Sequence, residues 1–389
     1  MQETFVFVLS LTAIFIFAKI FGEVAVRCGQ SSVIGELFAG IIIGPSVLGI
    51  VNGLPVLTEI SELGAIILLF EVGLSTNMKE FFKAGGWAIA VAIVGVILPY
   101  FLGYFTFLHF GFSSSQAIFA GAVLTATSVG ITARVFSDLN TLETKEAKIV
   151  LGAAVIDDVI GLAILAVVSK LAEGSGVSFS TVANVTLTAV VFLVTAVGLG
   201  LLITPSIFKF IDKTKQQHLA FIVGISFCFT ISALSIKAGL APIVGAFAAG
   251  LVLSNLKQSK EIKNDLKPIY AFFVPVFFVL MGTNVEIGVF NPLIAENRHI
   301  LLLAGVLFAV AFIGKAAAGF VVFQKGINKL LVGISMVPRG EVGLIFASIG
   351  LQNKVFVKED YSALVAVIML TTFVTPIILK ILLSQKQKI

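Results

Sequence analysis

The sequence consists mainly of long apolar runs, broken at intervals by short polar, charged or glycine- and proline-containing stretches. A helix needs about 20 mostly apolar residues to cross the hydrocarbon core of a bilayer. Division of the chain at its polar stretches predicts an all-α membrane protein with thirteen spans, the N-terminal run being the first span rather than a cleaved leader. The predicted spans are roughly 4–24, 32–51, 57–75, 86–108, 114–135, 148–170, 181–208, 218–236, 239–256, 267–285, 299–323, 330–350 and 361–384.

The distribution of lysine and arginine among the connecting loops predicts the orientation. With the N-terminus outside, eighteen basic residues fall on the cytoplasmic side, five fall on the outer side and three lie within spans. Cytoplasmic loops carry the excess of positive charge in membrane proteins. The counts therefore predict an odd number of spans, with the N-terminus outside and the C-terminus in the cytoplasm.

Two segments of the chain resemble each other. Residues 33–44 (VIGELFAGIIIG) and 243–254 (IVGAFAAGLVLS) share glycine and alanine at three equivalent positions. The spans that follow them end in similar motifs, at 75–77 (STN) and 282–284 (GTN). The similar spans are seven apart, and an odd shift reverses the direction through the membrane, so the pattern predicts an inverted repeat. Chance similarity between helices rich in glycine and alanine is the alternative.

Spans five and twelve look interrupted near their middles. Span five contains Thr125 within a run of small and hydroxylated residues, 124–130 (LTATSVG). Span twelve contains Pro338 and Gly340, and proline removes a backbone donor and clashes with the preceding turn. Transporters built from inverted repeats often unwind two helices at matching positions. An ordinary helix that packs through small residues is the other interpretation of span five.

Composition agrees with a lipid environment and narrows the function. The chain is 58% hydrophobic and 12% charged, against about 25% charged residues in soluble domains. The net charge of +5 is spread over short loops, which argues against nucleic-acid binding. Two cysteines give neither zinc spacing nor a disulfide framework. We therefore expect a transporter rather than an enzyme, with no catalytic residues and no cofactor.

A few ionisable residues lie deep in the predicted spans, where charge is costly and is a functional candidate. Asp157 and Asp158 fall near the centre of span six. Neighbouring residues on a helix point about 100° apart, so one carboxylate can face another helix while its neighbour faces a cavity. A buried ion pair that only holds helices together is the structural alternative. The possible partners at similar depth are Lys315, Arg339 and Glu341.

Two adjacent acids with one ammonium partner leave a spare carboxyl group. In a site that water reaches, such a group can exchange a proton for a hard cation, because carboxylate and carbonyl oxygens suit those ions. Glu36 and Glu71 lie nearer the cytoplasmic ends of their spans and are left out of the predicted site.

Four elements, in this order along the chain, resemble the bacterial cation/proton antiporters of the CPA2 branch, especially NapA-like and GerN-like members. Residues 154–159 (AVIDDV) resemble the paired-aspartate helix of that family, and 124–134 (LTATSVGITAR) resemble its first broken helix. Lys315 matches its membrane lysine, and 338–341 (PRGE) resemble its second broken helix. The resemblance covers essentially the whole chain and implies an NhaA-like inverted repeat of thirteen helices with two crossed broken helices.

The resemblance also implies roles for individual residues. Asp158 is expected to be the main carboxylate for the proton and for Na⁺, and Asp157 to pair with Lys315 when no cation is bound. Thr127 and Ser128 are expected to flank the site. Arg339 and Glu341 belong to the charge network at the broken helices. Two aspartates, rather than Asn-Asp, imply electrogenic exchange of more protons than sodium ions.

The family's architecture implies a division of the chain and a homodimer. A scaffold or dimer domain is expected from 1–85 and 213–290, a core or transport domain from 86–175 and 291–389, and a linking helix from 176–212. Some relatives carry a soluble nucleotide-binding domain after the membrane part, and no such domain is expected here, because the sequence ends shortly after the last span.

The function predicted from these observations is sodium/proton antiport, with export of Na⁺, and of Li⁺ as a further candidate, in exchange for H⁺ by alternating access in the bacterial inner membrane. A potassium/proton antiporter would use the same residues, so ion substitution must separate the two. A sodium-coupled solute symporter would need a roomy polar cavity. A channel would conduct without coupling the proton and cation gradients.

Overall fold

The structure, a computed structural model, describes residues 2–28, 30–51, 54–172, 179–214, 216–285, 287–291 and 293–386. The described residues form helices and no strand, with short 3₁₀ turns at Ile287–Phe290 and Gly319–Val321. The α-helices are α1 (Gln2–Arg27), α2 (Ser32–Ile43), α3 (Pro55–Leu74), α4 (Met78–His109), α5 (Ser114–Thr125), α6 (Val129–Asp138), α7 (Lys145–Ala172), α8 (Phe179–Ile211), α9 (Leu219–Lys237), α10 (Pro242–Leu253), α11 (Ser259–Thr283), α12 (Ala295–Ala318), α13 (Lys329–Ser335), α14 (Glu341–Gln352) and α15 (Lys358–Lys386).

The length and hydropathy of these helices define a multi-pass membrane protein. Within the described part of the chain, eight segments are long and apolar enough to cross a bilayer, and the joined helices α5 and α6 form one of them. Helix α8 exposes large apolar side chains, among them Val194 at 68%, Leu202 at 74% and Phe210 at 73%. Exposed apolar surface on this scale is suited to lipid rather than to water. The count of thirteen spans stays a prediction.

Helix bounds differ from the predicted spans where local chemistry ends a helix early. The run at 32–51 forms a helix only to Ile43, because Gly44 adopts an extended conformation and Pro45 follows it. The similar run at 239–256 is helical only from Pro242 to Leu253. Both helices have 12 residues, and their neighbours at each end form turns and loops.

Helix packing divides most of the chain into two groups. Helices α1, α2 and α3 pack with α9, α10 and α11, while α4, α5 and α7 pack with α12 to α15. Helix α8 contacts α7 from the second group and α10 from the first. Helix α6 contacts α2 and α3 on one side and α7 and α15 on the other, so it lies where the two groups meet.

Glycines set the close approach of helices in the first group. A Cβ at Gly40 of α2 would overlap the Val279 carbonyl oxygen of α11, and one at Gly250 of α10 would overlap the Phe70 carbonyl oxygen of α3. Small residues let helix backbones approach closely in membranes, where dispersion contacts rather than the hydrophobic effect hold helices together. These contacts explain why the two similar sequence segments share glycine at this position.

We expect Gly40→Ala to destabilise the protein by about 1–3 kcal/mol, the usual cost of overpacking. Helices α2 and α11 would have to separate, because the added methyl group meets backbone rather than a flexible side chain. The matched control is Gly305→Ala in α12, where nothing lies within 4 Å of an added Cβ. Thermal unfolding in detergent measures the difference, and equal midpoints for both variants would contradict the packing described here.

Candidate functional site

Two helical segments are interrupted: one consists of α5 and α6, and the other consists of α13 and α14. Helix α5 ends at Thr125 and α6 begins at Val129, leaving residues 126–128 non-helical. Helix α13 ends at Ser335 and α14 begins at Glu341, leaving residues 336–340 non-helical. Interruptions predicted in spans five and twelve are therefore present in the structure.

The two interruptions lie against each other and exchange hydrogen bonds. The Ser128 backbone N–H donates to the Pro338 carbonyl oxygen at 2.7 Å. Nearby, the Thr132 hydroxyl donates to the Ser335 carbonyl oxygen at 2.7 Å. Backbone groups freed by the breaks are thus partly satisfied by the other broken helix, which is how non-helical backbone is tolerated at membrane depth.

Arg339 is fully buried where the two interruptions meet, and it binds backbone carbonyl groups. Its guanidinium donates to the carbonyl oxygens of Leu124 at 2.7 Å, Val337 at 3.1 Å and Ala311 at 3.4 Å. Leu124 lies in the last turn of α5, where a helix presents unsatisfied carbonyls and favours positive charge. Arg339 thereby links both interruptions to α12.

A buried ion pair lies beside the two interruptions. The Lys315 ammonium of α12 is 3.4 Å from each carboxylate oxygen of Asp157 on α7. Asp157 is 3% exposed and Lys315 is fully buried. The Lys315 side chain lies against Gly95 of α4. Because an isolated charge would be very costly at this depth, loss of either partner would be heavily penalised.

Asp158 points in a different direction from Asp157. It is partly exposed, and it lines a small cavity with Leu69 of α3, Val129 of α6 and Phe247 of α10. The cavity therefore lies between the two groups of helices, with Asp158 contributed by one group and apolar side chains by the other. The angular offset of neighbouring helix positions accounts for this arrangement.

Thr127 and Ser128 lie at the first interruption with different surroundings. The Thr127 hydroxyl donates to the Met336 carbonyl oxygen at 3.3 Å and also interacts with the Asp157 carboxylate. The Ser128 hydroxyl is buried, has no hydrogen-bond partner among the described residues and packs against Gly340.

The other predicted site residues are less directly involved. The Thr125 hydroxyl donates to the Ala122 carbonyl oxygen of its own helix at 2.7 Å, so it closes the last turn of α5. Pro338 supplies the carbonyl that Ser128 binds. The side chain of Glu341 lies outside the part of the chain that the structure describes.

The sequence analysis missed a second buried charge cluster. Arg134 was counted among the cytoplasmic basic residues and within the run 124–134 that resembles a broken helix, but no buried partner was predicted for it. It is 8% exposed and paired with Glu36. Glu36 was left out of the predicted site because it lies nearer the cytoplasmic end of its span. The spacing of Arg134 and Asp138, one helical turn apart, was the available signal, since such pairs interact on a helix.

A large cavity opens between the two groups of helices. Its volume is about 610 Å³, and its walls come from the first half of α3, the region joining α9 to α10, the second half of α11 and the start of α14. Glu62 is the carboxylate on its wall. Ile243 lines both this cavity and the small cavity at Asp158, so the two spaces adjoin.

We expect Gly340→Ala to disturb the contact between the two interruptions, because an added Cβ would lie 2.7 Å from the Ser128 hydroxyl oxygen and 2.9 Å from its Cβ. Transport activity should fall by roughly tenfold or more, as a misplacement of about 1 Å costs in other preorganised sites. Ser128→Gly removes both obstructing atoms, so the double variant should recover part of the lost activity. Gly305→Ala serves as control, and an unaffected Gly340→Ala variant would contradict this packing.

The fold and the site define a class, which is that of multi-pass helical membrane proteins in which two interrupted helices meet beside a buried ion pair. Within that class, the chain belongs to the sodium/hydrogen exchanger family: residues 7–385 match the family described as "Sodium/hydrogen exchanger, transmembrane".

Named relatives are similar over nearly the whole chain. The "High-affinity Na(+)/H(+) antiporter NhaS3" of Synechocystis is 37% identical, over 95% of this chain and 88% of its own. The "Na(+)/H(+)-K(+) antiporter GerN" of Bacillus cereus is 34% identical, over 99% and 98%. The sodium proton antiporter MjNhaP1 of Methanocaldococcus jannaschii has the same fold, with a TM-score of 0.69 at 15% identity over 98% of this chain and 97% of its own.

Proposed function

We propose that this protein is an electrogenic sodium/proton antiporter and that Asp158 is the carboxylate that binds Na⁺ and H⁺ in turn. The observation that carries the proposal is the different environment of two adjacent aspartates. Asp157 is held by Lys315, whereas Asp158 faces a cavity between the two groups of helices. Relatives that are 37% and 34% identical are named as Na⁺/H⁺ antiporters.

The chemistry at Asp158 is competition between two cations. Na⁺ prefers oxygen ligands, and the interruption beside Asp158 offers carbonyl and hydroxyl oxygens at Thr127 and Ser128. A proton on Asp158 removes the negative charge that attracts Na⁺, so the two ions exclude each other. Release of the Asp157–Lys315 pair would let Asp157 take a second proton, which accounts for exchange of more protons than sodium ions.

Alternating access needs one group of helices to move against the other. The proposed fold is an NhaA-like inverted repeat of thirteen spans, with core and scaffold domains at the boundaries expected from the sequence. Equivalent glycines support it: Gly35 of α2 packs on α1 and Gly245 of α10 packs on α9, while Gly40 packs on α11 and Gly250 on α3. The packing of α10 on α9 and α3 thus repeats the packing of α2 on α1 and α11.

The environment of the protein follows from the same reasoning. The excess of lysine and arginine in alternate loops supports an N-terminus outside and a C-terminus in the cytoplasm. The bacterial relatives support a plasma-membrane location, and the inward proton gradient would then drive Na⁺ out. The exposed apolar faces of α1 and α8 provide surface for lipid and for a homodimer.

Potassium/proton exchange is the second candidate, because the name of the Bacillus cereus relative includes K⁺. The carboxylates alone do not choose between the two ions. Purified protein in proteoliposomes, given Na⁺, Li⁺ or K⁺ with and without an imposed membrane potential, separates the candidates. Proton movement driven by Na⁺ and accelerated by potential supports the proposal, whereas solute uptake or uncoupled conductance would overturn it.

A further inference from the structure

A second set of buried charges joins the two groups of helices. The Arg134 cluster consists of Arg134 and Asp138 on α6, Ser32 and Glu36 on α2, and Tyr270 on α11. Helix α6 is the half-helix that follows the first interruption, whereas α2 and α11 belong to the first group. The Arg134 cluster therefore connects α6, which begins beside the proposed ion site, to α2 and α11 of the first group.

Arg134 makes most of these connections itself. Its guanidinium donates to the Ser32 hydroxyl and the Tyr270 hydroxyl, both at 3.0 Å. It lies 3.3 Å from a Glu36 carboxylate oxygen and 2.9 Å from an Asp138 carboxylate oxygen. A planar guanidinium with several fixed donors is well suited to hold three helices at once.

The Arg134 cluster and the large cavity lie on opposite sides of Asp158. Along α3, Glu62 lines the cavity, Leu69 lines the small space at Asp158, and Glu71 lines another small space together with Tyr270. Along α11 the chain runs the other way: Tyr270 comes first, and the second half of the helix, which lines the large cavity, follows it. The large cavity therefore lies toward one end of these helices from Asp158, and the Arg134 cluster lies toward the other end.

The energetics of the Arg134 cluster suit a contact that is broken and remade. Buried charges that lose a partner are penalised heavily, which favours the closed arrangement. The second carboxylate oxygen of Glu36 is buried without a hydrogen-bond partner among the described residues, which reduces that preference. A partly satisfied network is held less firmly than a complete one.

We infer that Arg134 is a positioning residue for transport, which holds α6 against α2 and α11 and thereby keeps closed the end of the pathway opposite the large cavity. It sets the balance between the two conformations and does not itself bind the transported ion. The inference rests on the proposed function, because closure at one end has meaning only for alternating access.

The test weakens the Arg134 cluster without leaving an isolated charge. Tyr270→Phe removes one hydroxyl and keeps the ring, and Glu36→Gln removes one charge while Asp138 remains. Two reporter positions, Ser61→Cys on the large cavity and Ser137→Cys beside the cluster, are introduced singly into a chain lacking Cys28 and Cys228. Labelling by a thiol reagent measures how accessible each end is.

We expect the ratio of labelling rates, Ser137→Cys over Ser61→Cys, to rise by roughly tenfold in both variants, the size expected for loss of one buried charge-assisted hydrogen bond. Controls of the same chemistry are Tyr104→Phe and Glu59→Gln, which lie away from the Arg134 cluster and should leave the ratio unchanged. Arg134→Lys, which keeps the charge with fewer donors, should give an intermediate ratio.

Unchanged ratios in Tyr270→Phe and Glu36→Gln would overturn the inference. In proteoliposomes, the same two variants should change the KM for Na⁺ at one face more than the maximal rate, whereas a purely structural defect lowers the amount of folded protein and leaves the KM unchanged. Labelling does not require transport. Absence of sodium-driven proton flux in the unmodified chain therefore contradicts the proposed function separately from the inference about Arg134.

Discussion

Asp158→Asn should abolish sodium-driven proton movement in proteoliposomes while leaving the folded protein intact. The amide keeps the shape of the side chain, so the small cavity is preserved, but it can neither carry a proton nor supply a negative charge to Na⁺. A fluorescent pH indicator inside the vesicles measures the effect, which should bring the signal down to that of empty liposomes.

The matched control for this prediction is Asp212→Asn. Asp212 is an exposed carboxylate that accepts a hydrogen bond from Gln258, away from the predicted spans and the site. This variant should transport at the rate of the unmodified protein. Full sodium-driven proton movement by Asp158→Asn would remove Asp158 from the mechanism.

Lys315→Met should give the largest loss of stability. The substitution leaves the Asp157 carboxylate buried beside a thioether, and removing one partner of a buried ion pair costs about 3–5 kcal/mol. We expect a corresponding fall in the free energy of unfolding, measured by denaturant titration in detergent. Lys257→Met, at an exposed position in the loop after α10, is the control and should be near neutral.

A second variant separates loss of charge balance from loss of packing. Asp157→Asn combined with Lys315→Met removes both charges, so it should be more stable than Lys315→Met alone. The dependence of transport on membrane potential provides a further readout, because in the proposal Asp157 accepts the second proton when its pair with Lys315 is released. The double variant should therefore exchange ions with a weaker dependence on membrane potential, and equal stabilities of the single and double variants would contradict the pairing.

Much of the fold could be predicted because its signals are local in sequence. Apolar runs predicted the membrane helices, and Pro338 with Gly340 predicted the second interruption, since proline and glycine act on the backbone where they stand. The first interruption contains no proline, and it was predicted from a run of small and hydroxylated residues together with its equivalence to the second. The early end of α2 was missed because apolar residues continue on both sides of Gly44 and Pro45.

The buried charged residues could be predicted from the sequence, and their contacts could be predicted less well. Charge inside a span singles out Asp157, Asp158 and Lys315 without any knowledge of the fold. Arg339 was expected in the charge network, but it binds three backbone carbonyl groups, and carbonyl groups carry no sequence signal. The partnership of Arg134 with Glu36 joins residues about 100 positions apart, so only the packing of α2 against α6 could bring it out.

The hydrogen bonds that join the two interruptions have a consequence for how the molecule can deform. Ser128, Thr127 and Thr132 all donate from one broken helix to carbonyl oxygens of the other, and Arg339 donates in the opposite direction to Leu124. Relative sliding of the two broken helices would cost all of these bonds at once. The part where the two interruptions meet is therefore stiff, and its compliance lies at the periphery, where side chains rather than backbone meet the neighbouring helices.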